Sequence, residues 1–180
     1  MGVSLTWHDM MTGATSASPG VSAPTFAVIK GAIKCDRFAK GDEKHFAAHF
    51  THGFAPGSAI FPHVHWYPSD SGAGNARFGF EWSYARGYSQ DVLSETATLY
   101  VDQAAAGVLL THQIAEAAEP GLTIATAETD GVIIVRMFRA NTAEDTYGGS
   151  CFVSFIDWHV QFTHIGTTAR NKGAGWVPAD

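Results

Sequence analysis

The sequence predicts an all-β fold, an antiparallel β-sandwich of the jelly-roll or Greek-key type with extended N- and C-terminal arms. Three observations lead there. Short runs rich in Phe, Val, Ile, Thr, Tyr and Trp recur from about residue 24 onward, separated by Gly, Pro, Asn and Asp clusters. Within the runs apolar and polar residues alternate with period two, as in 150–162, where Ile156, Trp158, Val160 and Phe162 share one face and Asp157, His159 and Gln161 the other. No helical periodicity alternates with the runs, which excludes a doubly wound parallel sheet.

Residues 1–24 read as an N-terminal arm, because 11–25 are small and polar and carry Pro19 and Pro24. The sandwich domain then spans 25–165, and its strands are expected near 25–30, 43–52, 58–67, 76–85, 91–101, 108–116, 122–127, 132–140 and 150–162. Turns are marked by Pro56-Gly57, Ser71-Gly72, Pro120-Gly121, Asp130-Gly131 and Gly148-Gly149. The segment from Lys30 to Lys44 holds five of the eleven basic residues together with Asp36, Asp42 and Glu43, and reads as a solvated loop. Alanines make 103–118 the one helical competitor, which Gly107 and the β-branched residues weaken in favour of strand. Residues 166–180 form the C-terminal arm, with Trp176 as an aromatic anchor; Trp7 is its counterpart at the other end, and both are candidate interface residues.

A chain of 180 residues fits one domain that buries roughly 70% of its extended surface. The net charge of −6 argues against a phosphate-tracking surface, so nucleic acid is not an expected partner. No run of 18 apolar residues exists, so no membrane partner is expected, and the first residues lack the basic and apolar regions of a signal peptide. Charged residues are only 16% of the chain and aromatic ones 12%, a balance that suits a surface covered by a partner. Cys35 and Cys151 form no C-x-x-C pair and read as small buried hydrophobes.

Nine histidines are many for this length, and His63-Val64-His65 is the most conspicuous group. On a strand these two side chains project from the same face about 6.7 Å apart, close enough to converge on one ion. A hairpin centred on Gly72 would place His63 opposite Glu81, making Glu81 a third candidate ligand, and His159 is a fourth. A divalent metal at these residues is the one candidate cofactor. The competing reading is that polar-face imidazoles simply hydrogen-bond to their neighbours. His45 and His49 show ordinary half-buried strand patterning, and His8, His52, His112 and His164 are given no role. Glu144-Asp145 reads as a solvated turn. Trp66, Tyr67, Trp82 and Tyr84 are candidate sugar-stacking faces. No nucleophile elbow, phosphate loop, dinucleotide fingerprint or H-E-x-x-H helix occurs, so no catalytic residue is assigned and a non-enzymatic role is expected.

Two resemblances add to this reading. Gly57, five residues, His63, one residue, His65 is similar to the opening of the first cupin motif, which implies a small β-barrel with metal-holding histidines at His63 and His65. The pattern departs where a cupin has its glutamate, since Ser69 and Asp70 stand there. Over about two thirds of its length the chain resembles a group of tailed-bacteriophage virion proteins. The likeness is carried by Trp7-x-Asp9, Phe54 to Gly57, Pro62 to Trp66, Glu81-Trp82-x-Tyr84, Arg139, Asp145-Thr146-Tyr147 and Asp157-x-His159. It implies a structural role at the capsid surface of the virion, assembled in the host cytoplasm. The expected function is a capsid decoration or cement protein that associates with itself as a homotrimer and binds the major capsid protein or other virion proteins. The alternatives are a cupin-like metal-dependent enzyme using His63 and His65, and a neck, tail or carbohydrate-binding virion component.

Overall fold

The computed structural model of the chain describes residues 5–12, 18–125 and 127–163. Among these residues the chain forms strands β1 (Thr6–Met11), β2 (Ser18–Pro19), β3 (Thr25–Lys30), β4 (Ile33–Phe38), β5 (Glu43–His49), β6 (Phe61–Pro68), β7 (Asn75–Ala85), β8 (Ala97–Ala104), β9 (Gln113–Glu116), β10 (Val132–Arg139) and β11 (Cys151–Phe162). They make two antiparallel sheets. The first has the order β3-β4-β11-β6-β9, with β1 also paired to β11, and the second has the order β2-β5-β10-β7-β8. From β4 to β7 every connection crosses from one sheet to the other, and the chain crosses again from β8 through β11. This is the jelly-roll sandwich that the alternating pattern predicts.

The inward faces explain why the sheets stay together. Val64 and Trp66 on β6, Phe78 and Phe80 on β7, Ile133, Val135 and Met137 on β10, and Ile156, Trp158 and Val160 on β11 are almost completely buried. Aromatic rings meet edge to face across the gap, Trp66 on Phe78 at 5.8 Å and Phe80 on Trp158 at 6.1 Å between centroids. In β11 the register shifts between Val153 and Phe155. The extra residue allows Cys151 and Val153 on one side of it and Ile156 and Trp158 on the other to face the same core.

Several expectations change in the structure. Part of the expected N-terminal arm is strand: β1 runs along the second half of β11, with Met10 opposite Trp158 and buried against it. A single inward side chain in a six-residue strand leaves little alternation to read. The basic segment 30–44 contains β4, closed onto β3 by a turn at Gly31, whose positive φ of 57° suits glycine. Lys34 and Arg37 are exposed, Asp36 is half-buried in an ion pair with Lys44, Glu43 is buried, and Phe38 anchors the hairpin in the core. The segment 103–118 is not helical; β8 ends at Ala104 and β9 begins only at Gln113. The stretch expected as a strand at 122–127 makes one bridge, Ile60 with Leu122. The C-terminal arm and Trp176 lie outside the described residues.

Asp145, read as solvated, is buried at 2% exposure and forms an ion pair with Arg139, itself 1% exposed. Arg139 donates through Nε to Asp145 Oδ2 at 2.9 Å and through Nη2 to Oδ1 at 3.0 Å. The same guanidinium donates to the Tyr147 carbonyl at 2.6 Å and the Gly149 carbonyl at 2.5 Å. The Arg77 amide donates to the carboxylate at 3.1 Å, and Lys40 Nζ lies 3.3 Å from it. This network ties the β10–β11 connection to the start of β7, which no period-two pattern signals.

Candidate functional site

On β6 the residues Phe61, His63, His65 and Tyr67 alternate with the core residues Val64 and Trp66, so they face outward from the first sheet. Register then decides which side chains surround them. Asp157 of β11 lies opposite His63, Phe155 opposite His65 and His159 opposite Phe61. On the other side Glu116 of β9 lies opposite His63 and Ile114 opposite His65. Strand β1 adds Asp9 opposite His159 and Trp7 opposite Gln161. The outer face across β1, β11, β6 and β9 therefore gathers His63, His65 and His159 with Asp9, Glu116 and Asp157.

Four imidazoles run in contact across this face. His159 packs on His63 with ring centroids 4.2 Å apart, His63 on His65 at 5.1 Å, and His65 on His112 at 5.1 Å. His63 and Asp157 are buried, at 1% and 4% exposure, and His63 Nε2 is in direct contact with Asp157 Oδ1. His65 Nε2 lies 3.3 Å from the same oxygen. On their far sides, His63 Nδ1 faces the Phe61 carbonyl at 3.4 Å and His65 Nδ1 faces His112 Nε2 at 2.9 Å. His159 sits between two carboxylates, with Nε2 2.9 Å from Asp9 and Nδ1 bonded to Glu116.

Charge in this row is uneven. Burial pulls the His63 imidazole down, but the hydrogen bond and charge of Asp157 outweigh it and hold His63 above its ordinary value. His65 is pushed below its ordinary value, first by burial and further by its neighbours His63 and His112, against the opposing pull of Asp157. The carboxylate thus favours the cation on His63 more than on His65.

Of the candidate ligands read from the sequence, His63 and His65 come together, and His159 joins them through its ring contact with His63. Glu81 does not. The expected hairpin is absent because β6 and β7 belong to opposite sheets, with the segment 69–74 forming a corner between them. Glu81 instead accepts a 2.9 Å hydrogen bond from Arg136 on β10. The residues missed as site members are Asp157, Glu116, Asp9 and His112. Asp157 was legible as a same-face neighbour of His159, while Glu116 and His112 depend on the pairing of β9 with β6, for which no local signal exists.

Beside the histidine row lies a cleft of about 430 Å³ lined by Trp7, Phe61, Glu116, Ala117, Glu119 and His159. Trp7 is 51% exposed and rests edge-on against Phe61 at 5.5 Å. The aromatic residues expected to stack on sugar are placed otherwise: Trp66 and Tyr84 are core, and Trp82 packs partly buried against it. Tyr67 is half-buried beside His112 at 5.2 Å.

No protein-family model matches the chain, and no curated protein sequence matches it. Two solved structures are similar to it. CBM35 from Cellvibrio japonicus Abf62 is 15% identical, with 86% of this chain and 92% of that one covered and a TM-score of 0.41. CBM28, a non-crystalline cellulose specific carbohydrate-binding module, is 10% identical, with 85% of this chain and 89% of that one covered and a TM-score of 0.32.

Proposed function

We propose that the chain is a non-catalytic binding domain whose ligand is a carbohydrate, held in the cleft between Trp7 and Glu116. The observation that carries this reading is the half-exposed Trp7, braced edge-on by Phe61 at a concave site whose remaining polar groups are Glu116, Glu119 and His159. A sugar ring has an apolar C–H face that packs on an aromatic ring and equatorial hydroxyls that donate to carboxylates, so the cleft offers both kinds of partner. Phe61 holds the indole in place, which lowers the ordering cost of binding. Replacing Trp7 by alanine is expected to weaken binding about 10-fold, since a stacked aromatic contact is worth roughly 1.5 kcal/mol. Titrations of tryptophan fluorescence against a panel of soluble oligosaccharides, with pull-down on insoluble polysaccharides, measure this. A panel without a ligand removes the reading, as does a ligand that binds Trp7→Ala equally well.

A second reading, the self-associating virion component, draws on a different surface. Phe26 and Val28 project from β3, the last strand in its sheet, and Ile33 from its partner β4, exposed at 66%, 52% and 67%. Apolar side chains on an exposed edge strand favour pairing with another copy. Light scattering on the purified chain is expected to show a trimer that Phe26→Asp converts to monomer. A wild-type monomer at micromolar concentration, with no copy of the chain in purified particles, removes it.

A further inference from the structure

We propose that His63, His65 and Asp157 form a binding site for one divalent transition-metal ion of the zinc class, bridging β6 to β11 beneath the wall of the cleft. This goes beyond the carbohydrate reading and stands on separate residues. One ligand atom from each of the three lies within 4.8 Å of the other two, the span over which three side chains reach a common ion.

Three features separate this group from an ordinary hydrogen-bonded cluster. First, the buried Asp157 Oδ1 is shared by two imidazole nitrogens: it is in direct contact with His63 Nε2 and 3.3 Å from His65 Nε2, which is buried without a hydrogen-bond partner. Leaving the buried His65 nitrogen without a hydrogen bond costs stability that an ion shared with the carboxylate would restore. Second, the outward nitrogens are already positioned as in a metal-binding histidine. His63 Nδ1 faces the Phe61 carbonyl at 3.4 Å, so with an ion bound the ring keeps a proton there and gives up the one between Nε2 and Asp157, which frees the Nε2 lone pair for the metal. His65 Nδ1 is likewise engaged by His112. Third, the neighbouring combination of Asp9, His63 and His159 lacks this character, because Asp9 is exposed and His159 Nδ1 is held by Glu116 outside the group.

The donor set decides the class of ion. Two imidazoles and one carboxylate suit zinc and related first-row ions, whereas calcium and magnesium require mostly oxygen donors. The burial of His63 and Asp157 makes the site closed on the protein side and favours a structural role, locking the two central strands of the sheet in register.

The test is calorimetric titration of zinc chloride into the full chain after chelation and dialysis, with calcium and magnesium chloride as comparisons. One zinc per chain is expected, with a raised melting temperature and no comparable response to calcium or magnesium. Affinity should fall about 100-fold or more in His65→Ala and Asp157→Asn and persist in His159→Ala. Cobalt(II) in the wild-type chain should give the visible absorption of a four-coordinate site, a readout that does not depend on any variant folding. A wild-type chain without zinc heat or cobalt absorption overturns the proposal. So does zinc affinity that survives both His65→Ala and Asp157→Asn, or that is lost in His159→Ala, which would place the ion at Asp9.

Discussion

Replacing Asp145 by asparagine is expected to destabilise the fold by about 3–5 kcal/mol, the cost of leaving a buried charge without its counter-charge. Arg139 is 1% exposed and directs two of its hydrogen bonds to this carboxylate. Asparagine keeps one acceptor and loses the charge, while the guanidinium has no route to solvent. Urea unfolding should show a lower midpoint with an unchanged slope, since the surface exposed on unfolding is the same. Glu144→Gln, one residue away but exposed and only 3.4 Å from Arg77 at the surface, should leave the midpoint unchanged.

The same pair sets a pH dependence whose sign follows from its pKa shift. Burial alone would raise the Asp145 carboxyl, but hydrogen bonds from Arg139 and the Arg77 amide outweigh it and hold the group below its ordinary value. A carboxylate depressed in the folded state contributes stability that is complete above the unfolded value, about pH 4, and is lost as pH falls through the folded one. The gap in stability between the wild type and Asp145→Asn should therefore narrow as the pH is lowered below 4, approximately. A gap independent of pH would mean that the carboxylate is not the charged partner of Arg139.

Trp158→Ala is expected to cost roughly 3–5 kcal/mol through the cavity it opens between the sheets. The side chain is fully buried on β11 and meets Phe80 of the opposite sheet edge to face. Trp158→Phe, which keeps a ring in contact with Phe80, should cost less. The effect should also reach the outer face, because Asp157 and His159 flank Trp158 in sequence and their direction depends on its anchoring. Thermal unfolding measures the first effect, and the imidazole resonances of His63 and His159 report the second. A midpoint within 1 °C, roughly, of the wild type would show that the inter-sheet packing at this position tolerates a void.

The histidine row shows how far local pattern carries. That His63 and His65 share a face, and that Asp157 and His159 do too, follows from the alternation of side chains along extended backbone and was legible directly. That the two faces are neighbours was not. Hairpin logic pointed His63 to Glu81, thirteen residues beyond Pro68, whereas the chain crosses to the opposite sheet at Ser69 and the partners of β6 are β11 and β9. Asp145 gives the converse case, a carboxylate in a turn-like stretch whose burial depends on an arginine delivered by β10 and an amide delivered by β7.

The amino-acid order by itself determined that this chain is built of strands, where most of them lie and which side chains point together, because steric alternation within one strand needs nothing but neighbours in sequence. Tertiary structure alone decided which strands adjoin. Ladder hydrogen bonds are made by backbone groups that every residue carries, so β6 could pair with β7 or β11 equally well until Trp66, Phe78, Phe80 and Trp158 were buried against one another. That packing, and not any local motif, brought His63, His65 and Asp157 to one point.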